Sequence, residues 1–521
     1  MAEKLTVRLH PLAWDRAEEV AFGRWLRNEA VTVEEIHQHC GQEITARTAG
    51  RHVLAIQDTT ELNYQRHAGR TRGLGTVGNG TDLGLFLHPT LAIDANDHHC
   101  LGLVGAQVYV RREGATVNRR KRTIEEKESY RWLQGVETAD QVLKEAAHVT
   151  HVQDREGDIY EQFARPRAAH SDLVIRICQD RKLTSDEMLF AAMSAMPVVH
   201  RFRLTLKAQP GKRKTRTAKL ELRFGKVTIA RPAHLSARAA PPQVTLRVVD
   251  VCEYDAPPGE KPIHWRLGTT HEVKDIEAAL RIVGWYRLRW NIEQLFWVMK
   301  SQGFDIESSQ LETADALMKL AIVTALTACR VMRLVRARDG QVPQAARELF
   351  KPGQIELLAA LQLQYEGRTA RQKNPHPPET LAWAAWIIAR LAGWKGYSTS
   401  ECPPGALTMR RGLAAFDRIW HGYALGKKCA PCGGGWPYAF ALPSRGIRRA
   451  SNARHRGRVL FRKMNFLFGL RTSLFGQENS LLPGGTGNWL QAIELARRRA
   501  PKTAPRGQHW PTICEIPCYF P

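Results

Sequence analysis

Residues 286 to 300 read Tyr-Arg-Leu-Arg-Trp-Asn-Ile-Glu-Gln-Leu-Phe-Trp-Val-Met-Lys. On a continuous helix, Tyr286, Arg289, Glu293 and Lys300 fall within roughly 60° of one another. The spacing therefore predicts one helix carrying a phenol, a guanidinium, a carboxylate and an ammonium along a single line. Trp285, Ile292, Leu295, Phe296, Val298 and Met299 on its other faces suffice to bury it. A carboxylate framed by cations on a buried helix suits metal-assisted chemistry on a phosphate backbone.

Two more carboxylates belong with Glu293. Asp58 closes the short apolar run His52 to Gln57, and Asp154 closes the run His148 to Gln153. If these runs are parallel neighbouring strands, both aspartates occupy one rim of a sheet. Three such oxygen donors can hold two divalent cations about 4 Å apart, which activate an attacking oxygen and stabilise a leaving one. Magnesium suits an all-oxygen set in octahedral geometry, and manganese can substitute. In Asp154-Arg-Glu-Gly-Asp158, Arg155 can meet a phosphate and Asp158 can orient a neighbour. Plainer readings stand beside this one. A lone Asp at a strand end is commonly a turn residue, and Arg289 with Glu293 is an ordinary i,i+4 ion pair.

The elements that must position these residues follow from periodicity. Residues 1–50 are expected to be helical. Strands are expected at His52 to Gln57, Leu83 to Ile93, Leu101 to Val110, His148 to Gln153 and Asp172 to Cys178, with a charged helix over Arg122 to Ala146. This order predicts an α/β fold with a mixed sheet. Residues 200–266 change character: Phe202 to Ala208, Ala218 to Phe224, Lys226 to Ala230 and Val244 to Glu253 read as strands. Between the first two lies the basic stretch Gly211-Lys-Arg-Lys-Thr-Arg-Thr-Ala-Lys219. Helix returns at Val273 to Gly303 and again at Ser309 to Arg338. The expected divisions are a helical region at 1–50, a core at 51–199 and 267–338 interrupted by a β-insertion at 200–266, a helical region at 339–425 and a basic, poorly ordered tail at 426–521.

The chain has 521 residues and a formal net charge of +25, which favours a polyanionic partner. Residues 426–521 hold sixteen Lys and Arg against three Glu, so about half of that excess lies in the tail. No run of 18 apolar residues appears and the first residues lack a signal-like apolar stretch, so a cytoplasmic, non-membrane protein is expected. The ten cysteines are scattered. Cys429 and Cys432 with Cys514 and Cys518 could make a zinc site only by meeting across a long gap, so free thiols are expected.

Three stretches together resemble the DDE transposases of the insertion-sequence-four family: Ile56-Gln-Asp-Thr-Thr-Glu-Leu-Asn-Tyr64, Val152-Gln-Asp-Arg-Glu-Gly-Asp-Ile-Tyr160, and the Tyr286, Arg289, Glu293, Lys300 spacing. The resemblance covers roughly residues 15 to 420. It implies an RNase H-like core with a β-strand insertion ahead of the catalytic Glu, followed by an α-helical C-terminal region. It makes Asp58, Asp154 and Glu293 the catalytic and metal-binding triad, with Asp58 bridging two Mg²⁺ ions. Trp265 resembles the family tryptophan that stacks on a flipped base, and Trp290 is a second candidate beside it. Tyr286, Arg289 and Lys300 would hold phosphates, and the loop bearing Lys212, Arg213, Lys214 and Arg216 would follow DNA. The implied reaction is cut-and-paste transposition by a homodimer on double-stranded transposon ends and target DNA. The family's helical end-recognition domain extends well before the segment matched by Arg24-Trp-Leu-Arg-Asn28, so end recognition is expected to be weakened. The alternative is an end-blind remnant that binds DNA without sequence preference.

Overall fold

The computed structural model describes residues 7–429, apart from 14, 79, 112–121, 207–214, 302–303, 342 and 397–401. The chain divides into two compact units. The larger contains residues 26–297 and 310–329, and the smaller contains the remaining described residues.

The larger unit is built on one mixed sheet. Its strands are β1 (His52–Gln57), β2 (Thr60–Asn63), β3 (Gly75–Val77), β4 (Asp82–Asp94), β5 (Cys100–Tyr109), β6 (His148–Gln153), β7 (Ser171–Arg176), β8 (His200–Leu206), β9 (Arg216–Ala230), β10 (Gln243–Glu253) and β11 (His264–Thr269). The spatial order is β2-β4-β1-β6-β7-β11-β10-β9-β8, with β3 and β5 also paired to β4. β1 runs parallel to β6, and β6 to β7, while β4 and β5 are antiparallel. β1 and β6 are buried on both faces after their first residue, as expected of parallel interior strands covered by helices. β8 alternates along its length, as a half-solvated strand does. The mixed-sheet core, the β-insertion and the helical C-terminal region expected from sequence are all present.

The helices are α1 (Leu9–Leu12), α2 (Arg16–Arg27), α3 (Val33–Thr48), α4 (Tyr130–Val142), α5 (Tyr160–Ala164), α6 (Leu189–Ala195), α7 (Ile276–Arg287), α8 (Trp290–Lys300), α9 (Ala314–Ala337), α10 (Pro352–Tyr365), α11 (Leu381–Leu391) and α12 (Ala406–Cys429). α3 starts at a capping box formed by Thr32 and Glu35. Strand alternation decides which helix each residue of β1 meets. Val53 and Ala55 pack with Ile44 of α3 and Ala139 of α4, and Gln57 lies against Gly135 of α4. The other parity faces α7, since His52 packs edge-on against Trp285. Asp58 continues that second set.

Four readings from sequence change. The stretch from Tyr286 to Lys300 is two helices, because the chain turns at Leu288 and Arg289. The Asn291 side chain donates to the Leu288 carbonyl at 2.6 Å, a local bond that competes with continued helix. Strand β9 runs unbroken through Gly225, where apolar alternation lapses. A Cβ there would come within 2.8 Å of the Met196 thioether, so the glycine marks a close packing contact and no strand end. β2, β3 and β11 were not anticipated. The charged stretch from Arg122 forms helix only from Tyr130.

In the smaller unit, α11 is buried on nearly every side. α12 crosses it so closely that a Cβ on Gly412 would lie 1.8 Å from the Ile388 carbonyl oxygen. Glycine in a helix normally costs about 1 kcal/mol relative to alanine. Here Gly412→Ala is expected to destabilise instead, by about 1–3 kcal/mol, read as a lowered urea midpoint. An unchanged or raised midpoint would contradict the close helix crossing.

Candidate active site

Asp58 and Asp154 follow the last residues of two adjacent parallel strands, β1 and β6, and so emerge on the same rim. Each first satisfies its own turn. Asp58 Oδ1 accepts from the Thr59 amide at 2.8 Å, and Asp154 Oδ1 accepts from the Arg155 amide at 2.7 Å. Their second oxygens face the Arg289 guanidinium, whose Nη1 is 2.5 Å from Asp58 Oδ2 and whose Nη2 is 3.9 Å from Asp154 Oδ2. Glu293, in the first turn of α8, brings Oε1 to 3.2 Å from both terminal nitrogens of the same guanidinium. The Tyr286 hydroxyl, at the end of α7, lies 3.5 Å from Asp154 Oδ1. Four of the residues named from sequence thus converge around Arg289: Asp58 and Asp154 from the ends of two strands, and Tyr286 and Glu293 from two helices and not one.

The electrostatics are those of crowded like charges. Burial pushes the Asp58 carboxyl up to about 7; Arg289 works against this, while Glu293 and Asp154 reinforce it. Two carboxylates about 4 Å apart repel by roughly 4 kcal/mol at an effective dielectric near 20. Burial also disfavours the Arg289 charge, but Asp58, Asp154, Tyr286 and Glu293 together hold its pKa above the ordinary value. One guanidinium among three carboxyl groups leaves the site short of positive charge. The donor set is all oxygen, which matches magnesium or manganese and offers little to softer metals.

Behind this rim lies a polar layer on the α4 side of the sheet. Gln57 and Gln153 immediately precede the two aspartates, are fully buried, and bring their side-chain amides to 3.3 Å from each other. Gln153 also donates to the Trp132 carbonyl at 3.4 Å. His88, kept neutral by complete burial, lies 3.3 Å from the Gln57 amide through one ring nitrogen and 2.9 Å from the Thr59 hydroxyl through the other. Asp158 pins the loop after Asp154 to the exit of β7, accepting from the Cys178 and Gln179 amides at 2.7 Å and pairing with Arg181 at 2.5 Å. The sequence signal for this layer is the repeated Gln-Asp at the ends of both strands, present in the motifs but given no role there.

The remaining named residues are placed as follows. Trp265 lies on β11, with its ring edge-to-face with Tyr286 at 6.0 Å. Trp290 opens α8 and is 53% exposed. Trp297, not singled out from sequence, stands seven residues on and is also exposed; Glu293 lies between them on the same helix face. Arg155 is 62% exposed. Lys300 falls in the smaller unit, 3.4 Å from Glu307. Arg216 is not on a loop: it begins β9, with its guanidinium engaged by Glu253 and Glu260. Lys212, Arg213 and Lys214 lie outside the described residues, as do Cys432, Cys514, Cys518 and nearly all of the basic tail. Cys100, Cys178, Cys252, Cys329 and Cys402 are free thiols.

Among the described residues, two groups bring three ligand atoms within 4.8 Å of one another and could hold a divalent cation: His148, Asp172 and His271, and Asp94, Asp97 and His99. Neither was foreseen, because each is assembled by strand pairing or a turn. The second sits on the β4–β5 turn, where Arg51 at 3.0 Å and the Asn96 amide at 2.9 Å already satisfy Asp94.

No protein-family model matches this chain. Its class rests on fold and site: a central mixed sheet with flanking helices, compatible with the RNase H-like superfamily. No described helix is long and apolar enough to cross a membrane.

The Asp58 shift has a consequence for the metal-free protein. Its folded pKa stands above the ordinary carboxylate value, so between about pH 4 and 7 the folded chain holds a proton that the unfolded chain releases. The stabilisation from that proton is complete below about pH 4 and is lost as pH rises through about 7. Asp58→Asn is therefore expected to gain stability relative to wild type as pH rises across this window, measured by urea melts with a chelator present. A difference that stays flat with pH would contradict the shift.

Proposed function

We propose that this protein is a DNA transposase that uses divalent cations held by Asp58, Asp154 and Glu293. The observation that carries the reading is the convergence of these three carboxylates, from two parallel strand ends and a helix, on Arg289. Magnesium ions bound there would activate the attacking oxygen of water or of a 3′-hydroxyl and stabilise the leaving oxygen. The resemblance of the three motifs supplies the substrate: double-stranded transposon ends first, target DNA afterwards. The same triad would serve strand nicking, hairpin formation, hairpin opening and strand transfer, within a homodimer holding two ends. The enzyme would act in the cytoplasm, on the nucleoid.

The other side chains take roles suited to their chemistry. Arg289 balances the triad and, once cations take that charge, is free to grip a phosphate through its planar fork. Tyr286 holds Asp154 in place and offers a hydroxyl to the same phosphates. Arg155 adds a phosphate contact. Trp265 is suited to stack on an unpaired base beside the cut, and exposed Trp290 and Trp297 flank Glu293 with two further stacking surfaces, each worth about 1–3 kcal/mol per base.

The test uses the purified full chain and linear DNA bearing the inverted repeats that flank its gene. With Mg²⁺ or Mn²⁺, nicks and hairpins at the repeat boundary are expected on denaturing gels. Glu293→Ala should abolish them while DNA binding persists. Absence of metal-dependent cleavage by the wild-type protein, or an unaffected Glu293→Ala variant, would overturn the reading. Arg289→Ala is expected to bind Mn²⁺ more tightly than wild type in the absence of DNA, by calorimetric titration, because the competing cation is gone. Weaker Mn²⁺ binding would show that Arg289 supports the metal site.

A further inference from the structure

The opposite end of the same sheet face carries a second constellation. His52 and His148 open β1 and β6, six residues before Asp58 and Asp154, so they lie about 20 Å away along the strands. Asp172 stands at the start of β7, and His271 follows the end of β11, which runs antiparallel beside β7. Strand register therefore brings four polar side chains from four segments to one place under Trp285, whose ring centroid is 4.9 Å from His52 and 5.0 Å from His271.

We propose that His148 Nε2, Asp172 Oδ2 and His271 Nδ1 form a zinc-class site, separate from the acidic triad, with water as fourth ligand. The distances favour this. A tetrahedral zinc with bonds near 2.05 Å sets neighbouring donors about 3.3 Å apart. Asp172 Oδ2 lies 3.1 Å from His148 Nε2 and 3.4 Å from His271 Nδ1. His148 Nε2 is shut off from solvent yet makes no hydrogen bond despite that proximity. A close approach without hydrogen-bond alignment is what two donors show when both aim at a third atom between them.

The surrounding groups prepare the donors in the way metal sites require. The Thr150 hydroxyl is 2.8 Å from His271 Nε2 and 2.8 Å from His52 Nε2. Imidazole N–H donation from His271 Nε2 to Thr150, and Thr150 donation onward to His52, leaves His271 Nδ1 with its lone pair inward. Thr270 donates to Asp172 Oδ1 at 2.6 Å, holding the second carboxylate oxygen away and leaving Oδ2 forward. Two imidazoles and one carboxylate are a borderline donor set, selecting zinc, cobalt or nickel over magnesium. The bound ion would clip together the beginnings of β6 and β7 and the exit of β11, the strand that returns the β-insertion to the core.

The experiment titrates chelator-stripped full-length protein with Zn²⁺ in excess Mg²⁺, followed by calorimetry, and with Co²⁺, followed by visible absorption. One tight equivalent is expected, with the intense d–d bands of tetrahedral cobalt and no thiolate charge transfer. The double variant His148→Gln, His271→Gln should lose that equivalent, with affinity at least 100-fold lower. Thr150→Val, which leaves every ligand in place, should lose about tenfold. Asp58→Asn with Glu293→Gln should keep the site intact, which separates it from the catalytic proposal. Zinc should also raise the melting temperature of the wild type but not of the double variant. A wild-type protein that takes up no such equivalent, thiolate bands in the cobalt spectrum, or tight binding retained by both the double variant and Thr150→Val would overturn the assignment.

Discussion

The arrangement at the sheet rim depends on one guanidinium surrounded by three carboxylates. Asp58, Asp154 and Glu293 come from positions far apart in the chain and would repel one another at close range in a partly desolvated setting. Arg289 contacts all three. Its charge permits the cluster but does not neutralise it, and Asp58 carries the remainder as a carboxyl held near neutrality. A site poised in this way is receptive to further cationic charge. Arg289 sits at the turn between α7 and α8, and from there its side chain reaches Asp58 after β1, Asp154 after β6 and Glu293 in the first turn of α8 together.

Alternation along β1 and β6 organises everything around that point. Odd and even positions separate two chemistries on opposite faces of the same strands. On the α4 side, Gln57, Gln153 and His151 are sealed in with their polar partners; His151 lies 2.8 Å from Asp140. On the α7 side, the same strands carry histidines at one end and aspartates at the other. Parallel pairing of β1 with β6 sets the two strand ends in register, with Gln57 and Gln153 3.3 Å apart there, and the aspartates that follow inherit that register.

α7 spans the distance between the two ends of this face. Its consecutive residues Trp285 and Tyr286 reach the histidine cluster and Asp154 respectively. The β-insertion enters the sheet beside β7 through β11, so Trp265 arrives next to Tyr286 by strand pairing. The insertion is thereby part of the sheet that builds the site and not an appendage to it.

Much of this was legible in the amino-acid order. Apolar runs ending in Asp marked β1 and β6, and the spacing of Tyr286, Arg289 and Glu293 marked the third element, because strand and helix periodicity are local properties written into consecutive residues. The break at Leu288 has no periodic signature because it rests on local three-residue turns, with the Asn291 backbone amide and side chain both donating to the Leu288 carbonyl. The continuity of β9 escaped because it depends on Met196 packing over Gly225 from another element. The roles of Gln57 and Gln153, the ion pairing of Arg216, and the meeting of His148, Asp172 and His271 were beyond the sequence for a common reason: each is fixed by which strand lies beside which, and in what register. Sequence alone determined which side chains could do chemistry and the elements that carry them. Tertiary structure decided which of those side chains meet, because hydrogen-bonded strand pairing, unlike helical periodicity, joins residues with no regular separation along the chain.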